Sequence, residues 1–205
     1  MSLRPRKPVV AHRRGNVGSR KGLSKFSQPQ CKRANPTRRT MAMTSTEFRN
    51  AMGYFATGVT IITLDLGGEV HGMTANAFAS VSLDPPLVLV CVDHKARTHA
   101  HLHARKRFGV NVLGRNQHEI SRYYSDPLRK DEEAEAAGAR FDRTRHGTPV
   151  LRGALAYLEC RLHSAQDAGD HTIFIAEVEE VVAREGDPLL FFQGRYHRVG
   201  EEIGE

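Results

Sequence analysis

Residues 72–82 read GMTANAFASVS, a stretch in which small side chains are interspersed with hydroxyl and amide groups. Glycine and alanine let another backbone or a flat ligand approach closely. Thr74, Asn76, Ser80 and Ser82 offer donors and acceptors that suit the edge of a planar ring carrying alternating N–H and C=O groups. On composition alone a second interpretation stands beside this one: a tight bend in a barrel, where small residues relieve crowding.

Strand patterns lie on both sides of this stretch. The β-branched run Val59–Leu64 predicts a strand, and Gly67-Gly68 predicts the hairpin turn that leads into a returning strand over 70–74. After the break at Pro85-Pro86, the continuous apolar run 87–92 predicts a buried strand. Further strands are expected over 108–113, 153–164, 171–183, 188–192 and 195–199.

Helical patterns are fewer and lie between or beside the strands. Thr44 and Glu47 form a capping-box pattern that opens a helix, which is expected to end near Gly58. A short helix is expected at about 97–105, and helical pieces on the surface within 117–140. Many hairpin-connected strands with flanking helices predict a mainly β fold, an antiparallel barrel rather than a βαβ repeat.

Several common catalytic and nucleotide-binding motifs are absent from the sequence. It contains no G-x-G-x-x-G after a strand and no G-x-x-x-x-G-K-[ST], so a dinucleotide would have to bind without a Rossmann fingerprint. It has no G-x-S-x-G elbow, and no pair of carboxylates stands out as general acid and base.

The charge of the chain is unevenly distributed. The formal net charge is +7, but 12 of the 30 basic residues and none of the 23 acidic residues lie in residues 1–40, which leaves 18 basic residues against 23 acidic ones. The sequence therefore predicts a disordered basic tail over 1–40 and one domain over 41–205. A nucleic-acid-binding function would rest on the tail alone, and the mildly acidic remainder argues against it.

Three interpretations of the tail remain open. It could be a nucleic-acid-binding arm, an organellar transit peptide, or sequence upstream of a working start at Met41 or Met43. The third is favoured, because a clear helix start follows at once.

The cysteines and the hydropathy bear on the compartment. Cys31, Cys91 and Cys160 are odd in number and lack C-x-x-C spacing, which argues against a disulfide framework and favours a reducing cytoplasm. No run of about 18 apolar residues occurs, so a membrane span is not expected.

A cluster of four histidines could indicate a metal site. His94, His99, His101 and His103 fall within ten residues, and His99 and His103 would share one helix face. Two ligands without a nearby cysteine or carboxylate make a poor zinc site. We therefore predict no metal site here and interpret the cluster as a solvated helix.

Several short motifs follow one another along the chain: FRNAMGYFATGVT at 48–60, the stretch 72–82 continuing to Val88, FGVNVL at 108–113, GDHT at 169–172, PLLFF at 188–192 and GRY at 194–196. In this order and spacing they resemble the short-chain flavin reductases, the reductase components of two-component flavin-dependent monooxygenases. The resemblance runs from about Phe48 to Val199.

The resemblance implies a homodimer of split β-barrels with a flavin, FMN or FAD, near the dimer interface. It implies that Lys95 and Thr98 contact the phosphate, which suits a cation and a hydroxyl donor. It also implies that His171 contacts the nicotinamide. The residues implied to line the flavin pocket or to flank it are Thr74, Ala75, Asn76, Ser80, Val81, Ser82, Phe108, Asn111, Arg195 and Tyr196.

The implied reaction is reduction of FMN or FAD by NADH or NADPH, with hydride passing from nicotinamide C4 to flavin N5. This agrees with the absence of an acid–base pair, since the cofactors carry the chemistry and the protein binds and orients them. His171 is then a positioning or polarising group; the alternative is a hydrogen-bonded structural histidine after a Gly-Asp turn. The implied partner is a separate monooxygenase in the cytoplasm.

Two other functions remain open: a flavoprotein of the same barrel fold that retains its flavin for another redox reaction, and a non-catalytic flavin store or sensor. The motif at His171 argues against the store or sensor, because storage needs no nicotinamide site.

Overall fold

The computed structural model describes residues 43–130, 133–135 and 137–203. The predicted tail over 1–40, its boundary with the domain, its three interpretations and Cys31 lie outside the described residues.

The described residues form three helices: α1 (Ser45–Met52), α2 (Arg97–Arg105) and α3 (His118–Ser125). The capping box is confirmed, because Glu47 N donates to Thr44 Oγ1 at 3.2 Å and Thr44 N donates to Glu47 Oε2 at 2.8 Å. The predicted end of this helix near Gly58 is wrong. The helix ends at Met52, since Thr57 and Gly58 are held in a short strand by pairing with Phe191 and Leu190.

Twelve strands make up most of the regular secondary structure in the described residues. They are β1 (Thr57–Gly58), β2 (Thr60–Leu66), β3 (Glu69–Ala75), β4 (Phe78–Leu83), β5 (Pro86–Asp93), β6 (Arg107–Val112), β7 (Phe141–Arg143), β8 (Pro149–Leu151), β9 (Ala156–Ala168), β10 (His171–Ala183), β11 (Leu190–Phe192) and β12 (Arg195–His197).

Seven strands form one antiparallel sheet in the order β3-β2-β6-β9-β10-β5-β4. Its two edge strands, β3 and β4, are consecutive in the chain and are joined only by Asn76 and Ala77. A connection of two residues brings the edges together, so the sheet must curl round. Because β3 and β4 are not hydrogen-bonded partners, the result is the expected split barrel.

The prediction for the long hairpin was right for one strand and shifted for the other. Strand β10 spans the predicted 171–183, whereas β9 begins and ends later than the predicted 153–164. The turn at Gly169 and Asp170 has only two residues, so β9 must continue until Ala168 pairs with His171. Gly169 supplies the positive φ of 69° that this tight turn requires.

Two apolar clusters fill the described domain. One lies inside the curled sheet around Phe108, Leu102 and Phe174, and the other lies where α3, β8 and β11 cover the sheet around Tyr124, Leu151 and Leu189. Gly72 lets α3 pack closely on β3, because a Cβ atom there would come within 2.5 Å of Tyr124 Cε1. The first residue of the stretch 72–82 is thus a packing glycine.

A buried carboxylate joins β9 to the β7–β8 hairpin. Glu159 is fully buried and accepts hydrogen bonds from Thr148 Oγ1 at 2.5 Å and Thr144 Oγ1 at 2.9 Å. His146 Nδ1 lies 3.1 Å and Arg107 Nη1 3.6 Å from its oxygens. Burial raises the pKa of Glu159, but the hydrogen bonds outweigh it, so that the pKa is lowered from its ordinary value.

The helices of the described residues are short. The longest, α2, has 9 residues, and none is long and apolar enough to cross a membrane.

Candidate functional site

Three residues that the sequence implied for cofactor binding line one cavity of about 260 Å³ between β3, α2 and α3. They are Thr74 at the end of β3, Lys95 in the loop after β5, and Thr98 in the first turn of α2. Strand order explains their meeting: β3 and β5 lie on the two sides of the split, because β5 is next to the edge strand β4.

The lining of this cavity is strongly basic. Lys95, Arg97 and Arg129 all reach it, and none of the described residues that line it is acidic. Lys95 sits in a tight turn in which its own N–H donates to Asp93 Oδ1 at 2.8 Å. The helix N-terminus adds to this potential, because Ala96 at the cap provides no side-chain acceptor for the first-turn N–H groups. The cavity therefore has the donors and charge that a phosphate group requires.

Arg97 and Arg129, which the sequence reasoning missed, are also tied to the protein. Arg129 donates to the carbonyl oxygen of Gly72 and lies 5.2 Å from the ring centre of Tyr124. Arg97 Nη2 donates to Arg129 O at 3.4 Å. Their positions depend on the packing of α3 and the following loop, for which the local sequence carries no signal.

Thr98 differs from its expected setting. It is only 1% exposed, and its Oγ1 lies 2.9 Å from Nε2 of the buried His71. Contact with a phosphate stays a prediction for Thr98, whose hydroxyl already has a partner on β3.

A chain of hydrogen bonds connects Thr74 to the far end of the sequence. Thr74 Oγ1 donates to Ser121 O at 2.7 Å, and Ser121 Oγ lies 2.9 Å from the hydroxyl of Tyr196. Tyr196 also packs edge-on against Phe191, with ring centres 5.6 Å apart. Ser121 on α3 thus brings two implied site residues together, although nothing in the sequence around it marked it as functional.

The residues of the stretch 72–82 that follow Thr74 do not line the basic cavity. Asn76 lines a second cavity of about 620 Å³ together with α1 and the turn after β11, and Tyr54, Phe55 and Phe191 supply its apolar wall. Ser80 and Val81 are exposed and Ser82 is partly exposed on the edge strand β4, whereas Ala75 is buried and accepts a hydrogen bond from Thr60 Oγ1 at 2.7 Å.

Phe108 and Asn111 are both 0% exposed on β6, Phe108 inside the barrel and Asn111 on the opposite face of the strand. Both polar atoms of the Asn111 side chain are hydrogen-bonded within the protein. Nδ2 donates to Ile61 O at 3.0 Å, and Oδ1 accepts from Leu151 N at 2.8 Å. A direct ligand contact stays a prediction for both residues, whose observed contacts are those of the core.

His171 is the first residue of β10 and pairs with Asp93 of β5, so it lies near the Lys95 loop. Its Nδ1 is 2.7 Å from Asp170 Oδ1, and this hydrogen bond lowers the pKa of Asp170. The His171 side chain is 42% exposed. Asp170 is in turn held by its carbonyl oxygen, which accepts from His94 N at 3.1 Å. Arg195, by contrast, is exposed on β12.

The interpretation of the histidine cluster as a solvated helix is wrong in part. His99 and His103 pack against the ring of Phe174, with centres 5.6 and 4.9 Å apart. Nε2 of His94 and of His99 lie 3.1 and 2.8 Å from Thr172 Oγ1. In the parts of the chain that the structure describes, no group of three or more His, Cys, Asp or Glu residues could hold a metal ion.

Comparison with known proteins identifies the family of the chain. Residues 52–200 match the family model described as flavin reductase like domain. The NADH-dependent FAD reductase of Streptomyces globisporus is 40% identical over 168 residues, covering 78% of this chain and 88% of that protein. The FMN reductase (NADH) SmoA of Agrobacterium fabrum is 39% identical over 158 residues, covering 77% of this chain and 88% of that protein.

A solved structure of a similar protein has the same fold. The styrene monooxygenase flavin reductase from Pseudomonas putida S12 superposes with a TM-score of 0.70 at 39% identity, covering 76% of this chain and 99% of that chain. The resemblance drawn from the sequence motifs is confirmed, and the chain belongs to the flavin reductase like domain family.

Proposed function

We propose that this protein is an oxidoreductase that uses NADH or NADPH to reduce FMN or FAD. The observation that carries the proposal is the basic cavity at Lys95, Arg97 and Arg129, which adjoins the small-residue stretch beginning at Gly72. A flavin mononucleotide needs this combination: cations for its phosphate and a closely approachable polar edge for its ring.

The residues then divide by role. Lys95, with Arg97 and Arg129, holds the phosphate end of the flavin. The polar groups of Asn76, Ser80 and Ser82 face the ring edge, where the backbone can come close. Tyr196 acts indirectly, since through Ser121 it fixes the Thr74 side chain at the mouth of the phosphate cavity.

The flavin supplies the chemistry, by accepting at N5 the hydride that leaves nicotinamide C4. This chain's residues need only bind and orient the two substrates, which accords with the absence of an acid–base pair in the sequence. His171 faces the nicotinamide; Asp170 takes one ring nitrogen, which leaves Nε2 to meet the substrate.

We further propose that two copies form a homodimer. Helix α1 has no buried residue, and its large apolar side chains Phe48 and Met52 are 52% and 49% exposed. Tyr54 and Phe55 continue this apolar surface at 71% and 69% exposure and also line the Asn76 cavity. A second copy covering this surface would stabilise both chains and complete the wall of the Asn76 cavity.

The physiological acceptor of the reduced flavin, in this proposal, is a separate monooxygenase in the cytoplasm. A partner is expected because the ring-facing residues lie on an exposed strand edge, which lets a reduced flavin leave. A reductase that kept its flavin would need to cover this edge.

The first expected result is turnover. The purified full-length protein should oxidise NADH or NADPH continuously when FMN or FAD is added in excess, as followed by nicotinamide absorbance. A store or sensor would bind flavin without oxidising either nicotinamide cofactor above a protein-free control, and that outcome would overturn the proposal. A flavoprotein that retains its flavin would purify with it bound, and added free flavin would not increase its rate.

The second expected result concerns the apolar surface of α1. Phe48→Glu should convert the protein from a species of about twice 22.8 kDa to a monomer in light scattering, because a buried charge opposes association. Leu128→Glu is the control, since Leu128 is 87% exposed but lies away from α1. An unchanged mass for the Phe48 variant would place the dimer interface elsewhere or exclude it.

A further inference from the structure

Three side chains converge on the hydroxyl group of Thr172, which is 1% exposed on β10. Nε2 of His94 and of His99 lie 3.1 and 2.8 Å from Thr172 Oγ1. The same hydroxyl donates to Asp167 Oδ1 at 2.7 Å. His94 belongs to the loop between β5 and α2, His99 to α2 and Asp167 to β9. These four residues, the Thr172 cluster, tie three elements to β10.

The donors and acceptors define the protonation state of the Thr172 cluster. The hydrogen bond from Thr172 lowers the pKa of Asp167, so Asp167 is an ionised carboxylate at neutral pH and can only accept. Thr172 has a single hydroxyl proton, which goes to Asp167, and its oxygen therefore accepts from both imidazoles. A neutral imidazole with its proton on Nε2 meets this requirement. The network is thus complete when His94 and His99 are both neutral.

The Thr172 cluster lies between the two parts of the proposed site. His94 directly precedes Lys95, the proposed phosphate contact, and the N–H of His94 donates to Asp170 O at 3.1 Å. Thr172 directly follows His171, the proposed nicotinamide contact. The loop of Lys95 and the turn before His171 are therefore held together by a backbone hydrogen bond and by the Thr172 cluster.

Lowering the pH would put like charges into the Thr172 cluster. The ring centres of His94 and His99 are 5.1 Å apart, and those of His99 and His103 are 5.0 Å apart. The carboxylate of Asp167 can balance one added proton, but a second imidazolium at this distance would be repelled by the first. Lys95 lies beside His94 in the chain and lines the phosphate cavity. The titratable groups that face the two imidazoles come from α2, β5, β9 and the turn before β10, and are His103, Asp93, Asp167 and Asp170.

The pKa of His99 gives the direction of this effect. It is lowered from its ordinary value of 6.5, first by partial burial and then by His103 and His94. The neutral cluster is therefore fully present above pH 6.5 and is lost as the pH falls through the lower folded pKa. The side chains of His94 and Asp167 are 39% and 81% exposed, so water screens these charges and global stability changes little. The consequence is local, at the turn before His171.

We propose that the Thr172 cluster positions His171 for the nicotinamide cofactor and that acid releases this hold. The inference rests on the proposed function, because it takes His171 as the nicotinamide contact and Lys95 as the phosphate contact. None of the four residues of the cluster lines the phosphate cavity. Loss of the cluster should therefore weaken use of the nicotinamide cofactor and leave flavin binding unchanged.

Thr172→Val tests the positioning role, because valine keeps the branched shape that suits a strand and removes only the shared hydroxyl. At about pH 8 it should lower kcat/KM for the nicotinamide cofactor by about 5- to 20-fold and leave the Kd for FMN, from fluorescence titration, within about twofold. Thr172→Ser, which restores the hydroxyl, should recover most of the loss. The His94 amide, which bonds to Asp170 O, should exchange with solvent faster in Thr172→Val, and this measurement needs no turnover.

His99→Gln tests the response to acid, because a glutamine amide can donate to Thr172 Oγ1 but does not titrate. Between about pH 8 and about pH 5.5, kcat/KM for the nicotinamide cofactor should fall by about 5- to 20-fold in the wild type, as it does when the cluster is removed, and by about twofold in His99→Gln. Thr172→Val, which already lacks the cluster, should show little further fall. His163→Gln is the matched control, since His163 is exposed on β9 outside the cluster, and it should keep the wild-type pH profile.

Three outcomes would overturn the inference. Equal losses of nicotinamide use and flavin binding in Thr172→Val, with a lowered melting temperature, would make Thr172 a structural residue. An unchanged kcat/KM in Thr172→Val would show that the cluster does not act on His171. An acid response that is unchanged in His99→Gln would place the titrating group elsewhere. Failure of the proposed function is a separate result, since the wild type would then reduce no flavin, while exchange of the His94 amide would still show whether the cluster holds the turn.

Discussion

Replacing His171 with alanine is expected to lower kcat/KM for the nicotinamide cofactor by about 10- to 150-fold, while the Kd for flavin stays within about twofold. The range corresponds to the loss of one hydrogen bond to a charged or polar partner. The structure explains why the two substrates are affected differently. His171 lies at the turn between β9 and β10, whereas the phosphate cavity is formed by β3, α2 and α3.

The orientation of the His171 ring suits this role. Asp170 has a lowered pKa, because His171 Nδ1 bonds to its carboxylate, so the carboxylate stays ionised at neutral pH. An ionised neighbour fixes the ring and leaves Nε2 as the group that faces outward. His171→Asn, which retains a polar side chain, should recover part of the lost kcat/KM.

The measurement is steady-state kinetics in which nicotinamide and flavin are varied separately, beside a melting curve. His163→Ala is the matched control, since His163 is exposed on the neighbouring strand β9. Equal losses for both substrates with a lowered melting temperature would make His171 a structural residue. An unchanged kcat/KM for the nicotinamide cofactor would remove it from the site altogether.

Replacing Glu159 with alanine is expected to destabilise the fold by about 3–5 kcal/mol, the cost of removing one partner from a buried charged network. Thr148 and Thr144 would lose their shared acceptor, and Arg107 would lose one of its two carboxylate neighbours. For a domain of this size the change corresponds to a fall in melting temperature of roughly 6–20 °C.

The same substitution should alter the dependence of stability on pH. The folded pKa of Glu159 is below its ordinary value of 4.5, so its stabilising contribution is fully present above pH 4.5 and is lost as the pH falls through the lower folded pKa. The difference in stability between wild type and Glu159→Ala should therefore be constant near neutral pH and narrow in acid.

Urea unfolding at several pH values measures both effects. The control is Glu180→Gln, because Glu180 pairs in register with Glu159 on β10 but is exposed. A Glu159→Ala protein as stable as the control would show that the network contributes nothing net. A difference that does not narrow in acid would show that the carboxylate is not the source.

The local elements could be predicted from the sequence because their causes lie within a few residues. The capping box at Thr44 and Glu47, the hairpin glycines and the apolar run of β5 each act between near neighbours in the chain. The bounds of α2 and β10 also follow the predicted ones. Local patterning was also sufficient to single out residues 72–82, whereas the Gly-Asp turn before His171 was singled out by the family resemblance.

The assembly of the candidate site could not be predicted, since it depends on which distant residues the curled sheet brings together. Nothing near Ser121 indicates that its helix would join Thr74 to Tyr196, and nothing near Arg129 indicates that it would line the cavity of Lys95. The resemblance implies that Phe108 and Asn111 flank the pocket, but it does not indicate that the tertiary structure buries both of them completely.

Burial shows most clearly which properties follow from local sequence and which depend on tertiary contacts. A glutamate in the sequence is expected at the surface, and Glu159 is fully buried only because β9 carries it under the Thr144–Thr148 segment. Within the described residues, α1 has no buried residue, and its apolar side chains Phe48 and Met52 are about half exposed. The sequence by itself determined helix α2, most of the longer strands and the barrel class, and it singled out residues 72–82 as a candidate ligand-binding segment. The tertiary structure alone decided which side chains are buried, paired and adjacent, because burial and pairing are properties of long-range contacts.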